Sequence, residues 1–238
     1  MVAFLTGYIF PPPVRRLKID RHGRAKILSQ VELQRLFNDG FEKPRDRALF
    51  AVCLYTAARI GEAVSLRTQD VYDSKGNIRP ELNIRKGSTK GKLATRTVPV
   101  CEDLKHYLQA YGKPKAKYLF PAWQNNHTTP HLKTDSAGRI LRLACERVGI
   151  EGVSTHSFRR TALTQMSNAG IPLRIIQEVS GHRTLDELYK YLEVQPEQVR
   201  GAVASLAMIS PVGEVDDVNK AGKPSLYDLP SSPLHEEV

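Results

Sequence analysis

Apolar positions recur at helical spacing through most of the chain from residue 28 onward. In "ILSQVELQRLFNDG", Leu33, Leu36 and Phe37 share one helix face, and Ser29 stands at the N-cap position. A second helix is predicted to begin at Pro44, and its high apolar content indicates that it is buried. Further helices are predicted at 60–66, 101–112, 136–149, 154–170, 172–182, 181–194 and 196–209.

The period changes between residues 67 and 100, where the pattern predicts a small sheet. "ELNIR" and "TRTVPV" alternate between apolar and polar residues, and the stretch from Gly87 to Gly91 supplies a turn. We expect an antiparallel hairpin joined by a short strand near Val71. The predicted fold class is therefore α+β and mainly α-helical, with a small three-stranded antiparallel sheet.

Charge divides the chain of 238 residues into three predicted regions. Residues 1–27 form a basic arm or linker, 28–210 form the folded domain, and 211–238 form an acidic, flexible tail. The formal net charge is +10, and the tail holds two lysines against six carboxylates. The basic charge of the chain before the tail favours a polyanionic partner, most simply nucleic acid. Surface charge that serves only solubility would explain the same net charge.

Cysteine usage and hydropathy bear on the compartment. Cys53, Cys101 and Cys145 lie far apart and form no C-x-x-C pair, so neither a disulfide framework nor a zinc site is indicated. The sequence contains no stretch of eighteen apolar residues, so no membrane span is predicted. The N-terminal apolar run lacks the features of a secretory signal. We expect a cytoplasmic protein.

Two helical motifs carry candidate chemistry. In "TAARIGEAVSL", Glu62 follows Arg59 by three residues, which suits either an ordinary ion pair or an arginine whose rotamer is fixed by a carboxylate. In "HSFRR", His156 and Arg159 share a helix face, which on its own favours a solvated surface. Neither motif decides the function alone.

The turn of the predicted hairpin, "RKGSTKGKLATR", carries several lysines. Lys86, Lys90 and Lys92 lie near its tip. Exposed lysines at a turn usually contribute only solubility, but they also suit contact with a nucleic-acid groove or protonation of a leaving group.

Taken in order, these motifs resemble one known family. The series runs T-x-x-R-I-G-E, a hairpin lysine before R-x-V-P, H-x-x-R, G-H, and a tyrosine nine residues after that histidine. It resembles the catalytic domain of the tyrosine recombinases, the phage integrase family, over about residues 28–200. The resemblance implies the following catalytic set, with Glu62 in support: Arg59, Lys90, His156, Arg159, His182 and Tyr191. Lys86 competes with Lys90.

The sequence departs from the family pattern at two places. Where the family usually has T-G-Leu-or-Met-R, this chain has "TAAR", and where it has H-x-L-R-H, this chain has "HSFRR". The second departure puts Arg160 at the position of the usual histidine. Neither departure removes a group of the implied catalytic set.

Two tyrosines compete for the role of nucleophile in "GHRTLDELYKYLEV". The family spacing selects Tyr191, which lies nine residues after His182. On a single helix through this stretch, Tyr189 lies about 60° from the centre of the apolar stripe and Tyr191 about 95–100° away. Tyr189 is therefore predicted to pack, and Tyr191 to face a site. The stripe consists of Leu185, Leu188 and Leu192.

The resemblance implies a site-specific DNA recombinase that acts through a 3′-phosphotyrosyl bond. The two arginines would hold the non-bridging phosphate oxygens, and His182 would donate a hydrogen bond to the same phosphate. His156 would help to remove the Tyr191 proton, and Lys90 would protonate the departing 5′ oxygen. No metal and no cofactor is expected.

The resemblance also implies partners and leaves alternatives open. It implies double-stranded DNA, a homotetramer on paired DNA sites, a possible accessory directionality protein, and a bacterial or phage-encoded, nucleoid-associated location. The alternatives are DNA relaxation in the manner of a type IB topoisomerase and a non-catalytic DNA-binding protein on the same fold. A helix after the tyrosine favours the recombinase, because in the family a segment there docks on a neighbouring protomer.

Most family members carry a helical core-binding domain before the catalytic domain. Here only the basic arm 1–27 precedes the predicted domain. We therefore expect either a short member or a fragment of a longer protein, with DNA binding that is weak and sensitive to salt.

Overall fold

The computed structural model describes residues 25–85, 95–122, 130–192 and 196–204. The helices before the sheet are α1 (Gln30–Arg35), a π-helical turn (Leu36–Gly40), α2 (Pro44–Tyr55), α3 (Ile60–Val64) and a 3₁₀ turn (Thr68–Asp70). The strands are β1 (Glu81–Ile84) and β2 (Arg96–Pro99). The later helices are α4 (Glu102–Tyr111), α5 (Thr134–Arg147), α6 (Thr155–Asn168), α7 (Leu173–Ser180), α8 (Leu185–Tyr189) and α9 (Pro196–Ala204). A second compact unit begins at Val194 and contains α9.

The helix boundaries follow the capping signals in the sequence. Ser29 Oγ accepts the Glu32 amide proton, and the Glu32 carboxylate accepts the Ser29 amide proton, which completes a capping box. Pro44 is the first residue of α2, as predicted. Gly181 ends α7 in the left-handed conformation with φ of 66°, which glycine adopts without strain.

The core is built around α2. Residues 48–54 of this helix are all buried, and α2 packs against both α4 and α6. The Phe41 and Phe50 rings stack with their centroids 4.8 Å apart, and the centroid of the Phe50 ring lies 5.0 Å from that of Phe158 in α6. Burial of each such ring stabilises the fold by roughly 1.5–3 kcal/mol. The end of α2 is therefore a rigid base for the segment 56–59 that follows it.

The small sheet is an antiparallel hairpin, which confirms that part of the predicted fold class. Strand β1 pairs with β2 so that Leu82 lies opposite Val98 and Ile84 opposite Arg96. The prediction of a third strand near Val71 is wrong for the described residues. This region forms only an isolated bridge between Tyr72 and Ile78. The reason is local, because the 3₁₀ turn runs into Val71 and leaves its backbone helical.

Arg160 contributes to the start of the domain. Its guanidinium donates to the Ala25 carbonyl, and the Leu28 amide donates to Thr161 Oγ1 at 2.8 Å. Residues 25–27 of the expected arm therefore pack against α6. Residues 1–24, and the tail expected at 211–238, lie outside the described residues. Within the described ranges, every helix is too short or too polar to cross a bilayer.

Candidate active site

Arg159 lies at the centre of the site and is fully buried. Its Nη1 donates to the carbonyl oxygens of Ala57 and Ser180, the latter at 3.0 Å, and its Nη2 lies 2.7 Å from His182 Nε2. Burial and then the charge of Arg59 lower the pKa of Arg159 to about 10, so it remains a cation at neutral pH. The solvated helix face considered for "HSFRR" is therefore wrong for Arg159.

One donor of the Arg159 guanidinium, the Nε–H group, is not used by the described residues. Its Nε is buried and has no hydrogen-bond partner among the described residues. In arginine, Nε and Nη2 lie on the same edge of the planar group, and together they bind two oxygens of one carboxylate or phosphate. A buried donor without a partner costs free energy, so this edge is suited to an anionic ligand.

The carbonyl of Ala57 that binds Arg159 comes from a strained residue. Ala57 has φ of 48°, in the left-handed region that costs a non-glycine residue about 1–2 kcal/mol. Ala57 stands at the glycine position of the "TAAR" departure. The fold therefore holds this backbone in place although the sequence lacks the residue that adopts it freely.

His182 is buried beside Arg159, and the hydrogen-bond network assigns its tautomer. Because Nε2 accepts from Arg159, Nδ1 carries the proton and donates to Ser180 Oγ at 2.7 Å. The Ser180 hydroxyl in turn donates to the Gln177 carbonyl at 3.3 Å. Burial and then the charges of Arg159 and Arg59 lower the pKa of His182 to about 3, so the imidazole is neutral.

Arg59 and Glu62 form an ion pair, as both interpretations of their spacing predict. Glu62 is 1% exposed, and its Oε1 accepts from Arg59 Nη1 at 3.2 Å. Its Oε2 accepts from the Arg59 amide at 3.0 Å and from Arg96 Nη2 at 2.9 Å. Burial raises the pKa of Glu62, but the hydrogen bond and charge of Arg96 outweigh it, and the pKa lies below its usual value. Glu62 is therefore a carboxylate between two arginines.

His156 lies on the same face of α6 as Arg159, near the start of the helix, and is exposed. Partial burial and then the charges of Arg159 and Arg59 lower its pKa. The imidazole is therefore neutral at physiological pH and has a free lone pair with which to accept a proton.

Tyr191, and not Tyr189, lies against this cluster. The centroid of its half-buried ring is 5.1 Å from that of His182 and 5.7 Å from Arg159 Cζ, which is within cation–π range. Tyr189 is 54% exposed. Tyr191 lies beside His182 and Arg159, and its role as the nucleophile stays a prediction. The prediction that Tyr189 packs is wrong.

The apolar stripe used to predict the packing of Tyr189 is not one buried helix face, because Leu192 lies beyond the end of α8 and Leu185 is 37% exposed. After Lys190 the chain turns, with the Tyr191 amide donating to the Leu188 carbonyl at 2.9 Å. Thr164 Oγ1 of α6 then donates to the Tyr191 carbonyl at 3.3 Å. A rotation of about 100° per residue does not apply beyond the end of a helix. The place of Tyr191 is set by this turn.

Two residues of the site were missed by the sequence interpretation. Arg96 was quoted only as part of R-x-V-P, although strand alternation puts it on the same face as buried Val98, where a charge indicates a partner. Ser180 carried no such signal. The hairpin lysines, Lys86, Lys90 and Lys92, lie outside the described residues. The described residues contain no group of three His, Cys, Asp or Glu side chains placed to hold a metal ion.

Comparisons with known proteins agree with the order of the motifs. The model of the phage integrase family matches residues 26–198. The chain is 32% identical over 200 residues to tyrosine recombinase XerD of Mycobacterium tuberculosis, covering 77% of this chain and 60% of the relative. It is 29% identical over 182 residues to tyrosine recombinase XerA of Pyrococcus furiosus, covering 75% and 60%. The chain thus spans about 60% of the length of these curated relatives.

Solved structures share the fold. The crystal structure of XerA recombinase has a TM-score of 0.60 and 24% identity, covering 78% of this chain and 65% of that one. The XerH site-specific recombinase bound to palindromic difH substrate has a TM-score of 0.57 and 21% identity, covering 76% and 53%. These likenesses establish the α+β architecture with its small antiparallel sheet.

Proposed function

The chain belongs to the phage integrase family, and from that membership we propose that it is a site-specific DNA recombinase with Tyr191 as its nucleophile. The observation that carries the proposal is the contact of the Tyr191 ring with both His182 and Arg159. A phenol beside a buried guanidinium whose Nε–H has no partner among the described residues has the parts needed to attack a phosphodiester. The relatives named above are tyrosine recombinases.

Phosphate binding is proposed to use Arg159 and Arg59 together. Arg159 Nε and the second N–H of Nη2 would bind two oxygens of the scissile phosphate. Arg59, whose side chain is 23% exposed, would reach the same group from the N-cap position of α3. Negative charge builds on these oxygens in the pentavalent transition state. Fixed cations aimed at that charge stabilise the transition state more than the ground state.

His182 is proposed to bind the same phosphate once the anion is present. Burial and then the charges of Arg159 and Arg59 lower the pKa of His182, and a phosphate beside Nε2 would offset those charges. The imidazole would then take up a proton at Nε2, give up its hydrogen bond from Arg159 and donate to the phosphate. The Ser180 hydroxyl keeps the ring oriented throughout, because it accepts from Nδ1.

The chemical step is proposed as an in-line displacement. Tyr191 Oη forms a bond to phosphorus while the bond to the 5′ oxygen breaks, which leaves a 3′-phosphotyrosyl ester. His156 takes the phenol proton, and Lys90, or in its place Lys86, supplies a proton to the 5′ oxygen. A 5′ hydroxyl of another strand then attacks the ester, reverses these proton transfers and joins a new pair of strands.

The remaining parts of the proposal concern partners. Double-stranded DNA is the substrate, a homotetramer assembles on two paired sites, and an accessory protein sets the direction of the reaction. The protein acts at the bacterial nucleoid. Guanidinium and ammonium groups supply the electrostatic stabilisation, so EDTA is expected to leave the reaction unchanged.

Two assays on the same protein test this function against its alternatives. Supercoiled DNA with two target sites is expected to yield exchanged products, resolved by restriction mapping. Relaxation of plasmids that carry no target site would support a topoisomerase instead. DNA binding without exchange or relaxation would contradict any catalytic function.

A further inference from the structure

Arg96 of β2 connects three parts of the candidate site. Its Nη2 donates to Glu62 Oε2 at 2.9 Å, and its Nε donates to the Val179 carbonyl at 3.0 Å. Its stem packs over Gly181, where an added Cβ would lie 3.0 Å from Arg96 Cδ. We propose that Arg96 is a positioning residue for DNA cleavage, which fixes Arg59 through Glu62 and fixes His182 through the end of α7. This inference rests on the proposed function.

The first connection runs through Glu62. One oxygen of this buried carboxylate binds the Arg59 guanidinium, and the other binds both the Arg59 amide and Arg96. Without Arg96 the carboxylate loses a charge-assisted donor in a place where 1% of it is exposed. A buried carboxylate that loses its cation either takes up a proton or moves toward water. Either change loosens its hold on Arg59.

The second connection runs through the C-terminal end of α7. The last carbonyl groups of a helix lack partners within the helix, and a cation there is stabilised by the helix dipole. Arg96 binds the Val179 carbonyl at this end. The next residue, Ser180, binds Arg159 through its carbonyl and His182 through its hydroxyl. Arg96 therefore holds the turn from which His182 reaches Arg159.

Arg96 acts through these neighbours and not as a phosphate ligand. Its side chain is 9% exposed, and both Nε and Nη2 are used by the protein. Its loss is therefore expected to change the rate of cleavage more than the affinity for DNA, since a displacement of about 1 Å costs on the order of 10²-fold in rate.

The experiment measures single-turnover cleavage of a nicked suicide duplex at saturating DNA, together with DNA affinity and thermal stability. R96M is compared with wild type and with R96K. The matched control is R147M, because Arg147 also binds one carbonyl, that of Gly40 at 2.7 Å, and one carboxylate, that of Glu42 at 3.0 Å.

We expect R96M to lower the cleavage rate constant about 10²-fold while the DNA dissociation constant changes less than about threefold. R96K is expected to recover part of the rate, because an ammonium group reaches one of the two acceptors. R147M is expected to cleave at the wild-type rate.

Two results would overturn the inference alone. One is a wild-type rate constant for R96M, and the other is a smaller amount of adduct formed at the wild-type rate, which would mean only fewer folded molecules. If R96M does not fold, R96K decides, since a wild-type rate for it also overturns the inference. Absence of any adduct from the wild-type chain would overturn the proposed function and this inference with it.

Discussion

Arg159 Nη2 lies 2.7 Å from His182 Nε2, so two groups that we propose to bind one phosphate also bind each other. This contact fixes both side chains before a ligand arrives, and the cost in side-chain entropy is met during folding. It also requires a neutral His182, because an imidazolium has no lone pair to accept from a guanidinium. This hydrogen bond therefore orders the site in the absence of DNA, and in the proposed mechanism His182 exchanges it for a hydrogen bond to phosphate.

The first prediction concerns Arg159→Lys. An ammonium group cannot donate to two carbonyls and an imidazole while also presenting a two-donor edge to phosphate. We expect the rate constant for DNA cleavage, measured by single-turnover adduct formation, to fall by about 10²-fold or more. Arg160→Lys is the control, because Arg160 is the next residue on α6 and binds Ala25 instead. Equal effects of the two substitutions would contradict the proposed role.

The second prediction concerns the strained backbone at Ala57. Ala57→Gly and Ala58→Gly each remove one buried methyl group and add the same freedom to the unfolded chain, but only Ala57 has a positive φ. We therefore expect Ala57→Gly to be the more stable variant by about 1–2 kcal/mol in urea unfolding. Equal stabilities would show that the Ala57 backbone carries no strain.

The third prediction compares two glycines with left-handed backbones. Gly181 has φ of 66° and Gly170 has φ of 74°, so alanine strains both, but only at Gly181 does the new Cβ meet Arg96. Gly181→Ala is expected to cost at least about 1 kcal/mol more than Gly170→Ala, through overpacking. Urea unfolding measures both. Gly181→Ala should also slow cleavage, and Gly170→Ala should not.

The fourth prediction is a pH dependence of stability. The pKa of His182 falls from 6.5 to about 3 on folding. As the pH is lowered, His182 therefore takes up a proton in the unfolded chain before it does so in the folded chain. The contribution of neutral His182 to the free energy of unfolding is complete above pH 6.5 and is lost as pH falls toward 3. The groups that face His182 are Arg159, Ser180 and Tyr191, with the charges of Arg59 and Arg96 also acting on it.

Between pH 7 and pH 5 this one group lowers the free energy of unfolding by up to about 2 kcal/mol. His182→Gln removes the titration. We expect the variant to lose that much less stability over the same interval, measured by urea unfolding at both pH values. Parallel losses in wild type and variant would contradict a neutral, buried His182.

The sequence predicted the helices well because their ends carry local signals, such as Ser29, Pro44 and Gly181. The prediction failed where a local turn interrupts the periodic pattern and where tertiary contacts decide. Tyr189 was predicted to pack from an apolar stripe that includes Leu192, which lies beyond the end of α8. Val71 was predicted to lie in a strand that a preceding 3₁₀ turn prevents. Strand alternation indicates that Arg96 has a partner, but the partners themselves are identified only by the packing of β2 against α3 and α7. The role of Lys90 stays a prediction.

The most direct test of the account is the identity of the residue that becomes joined to DNA. The protein is incubated with a nicked suicide duplex, digested, and mapped by mass spectrometry for wild type, Tyr191→Phe and Tyr189→Phe. The account predicts a 3′-phosphotyrosyl peptide that contains Tyr191, present in wild type and Tyr189→Phe and absent in Tyr191→Phe. An adduct that persists in Tyr191→Phe, or that maps to another residue, would contradict it.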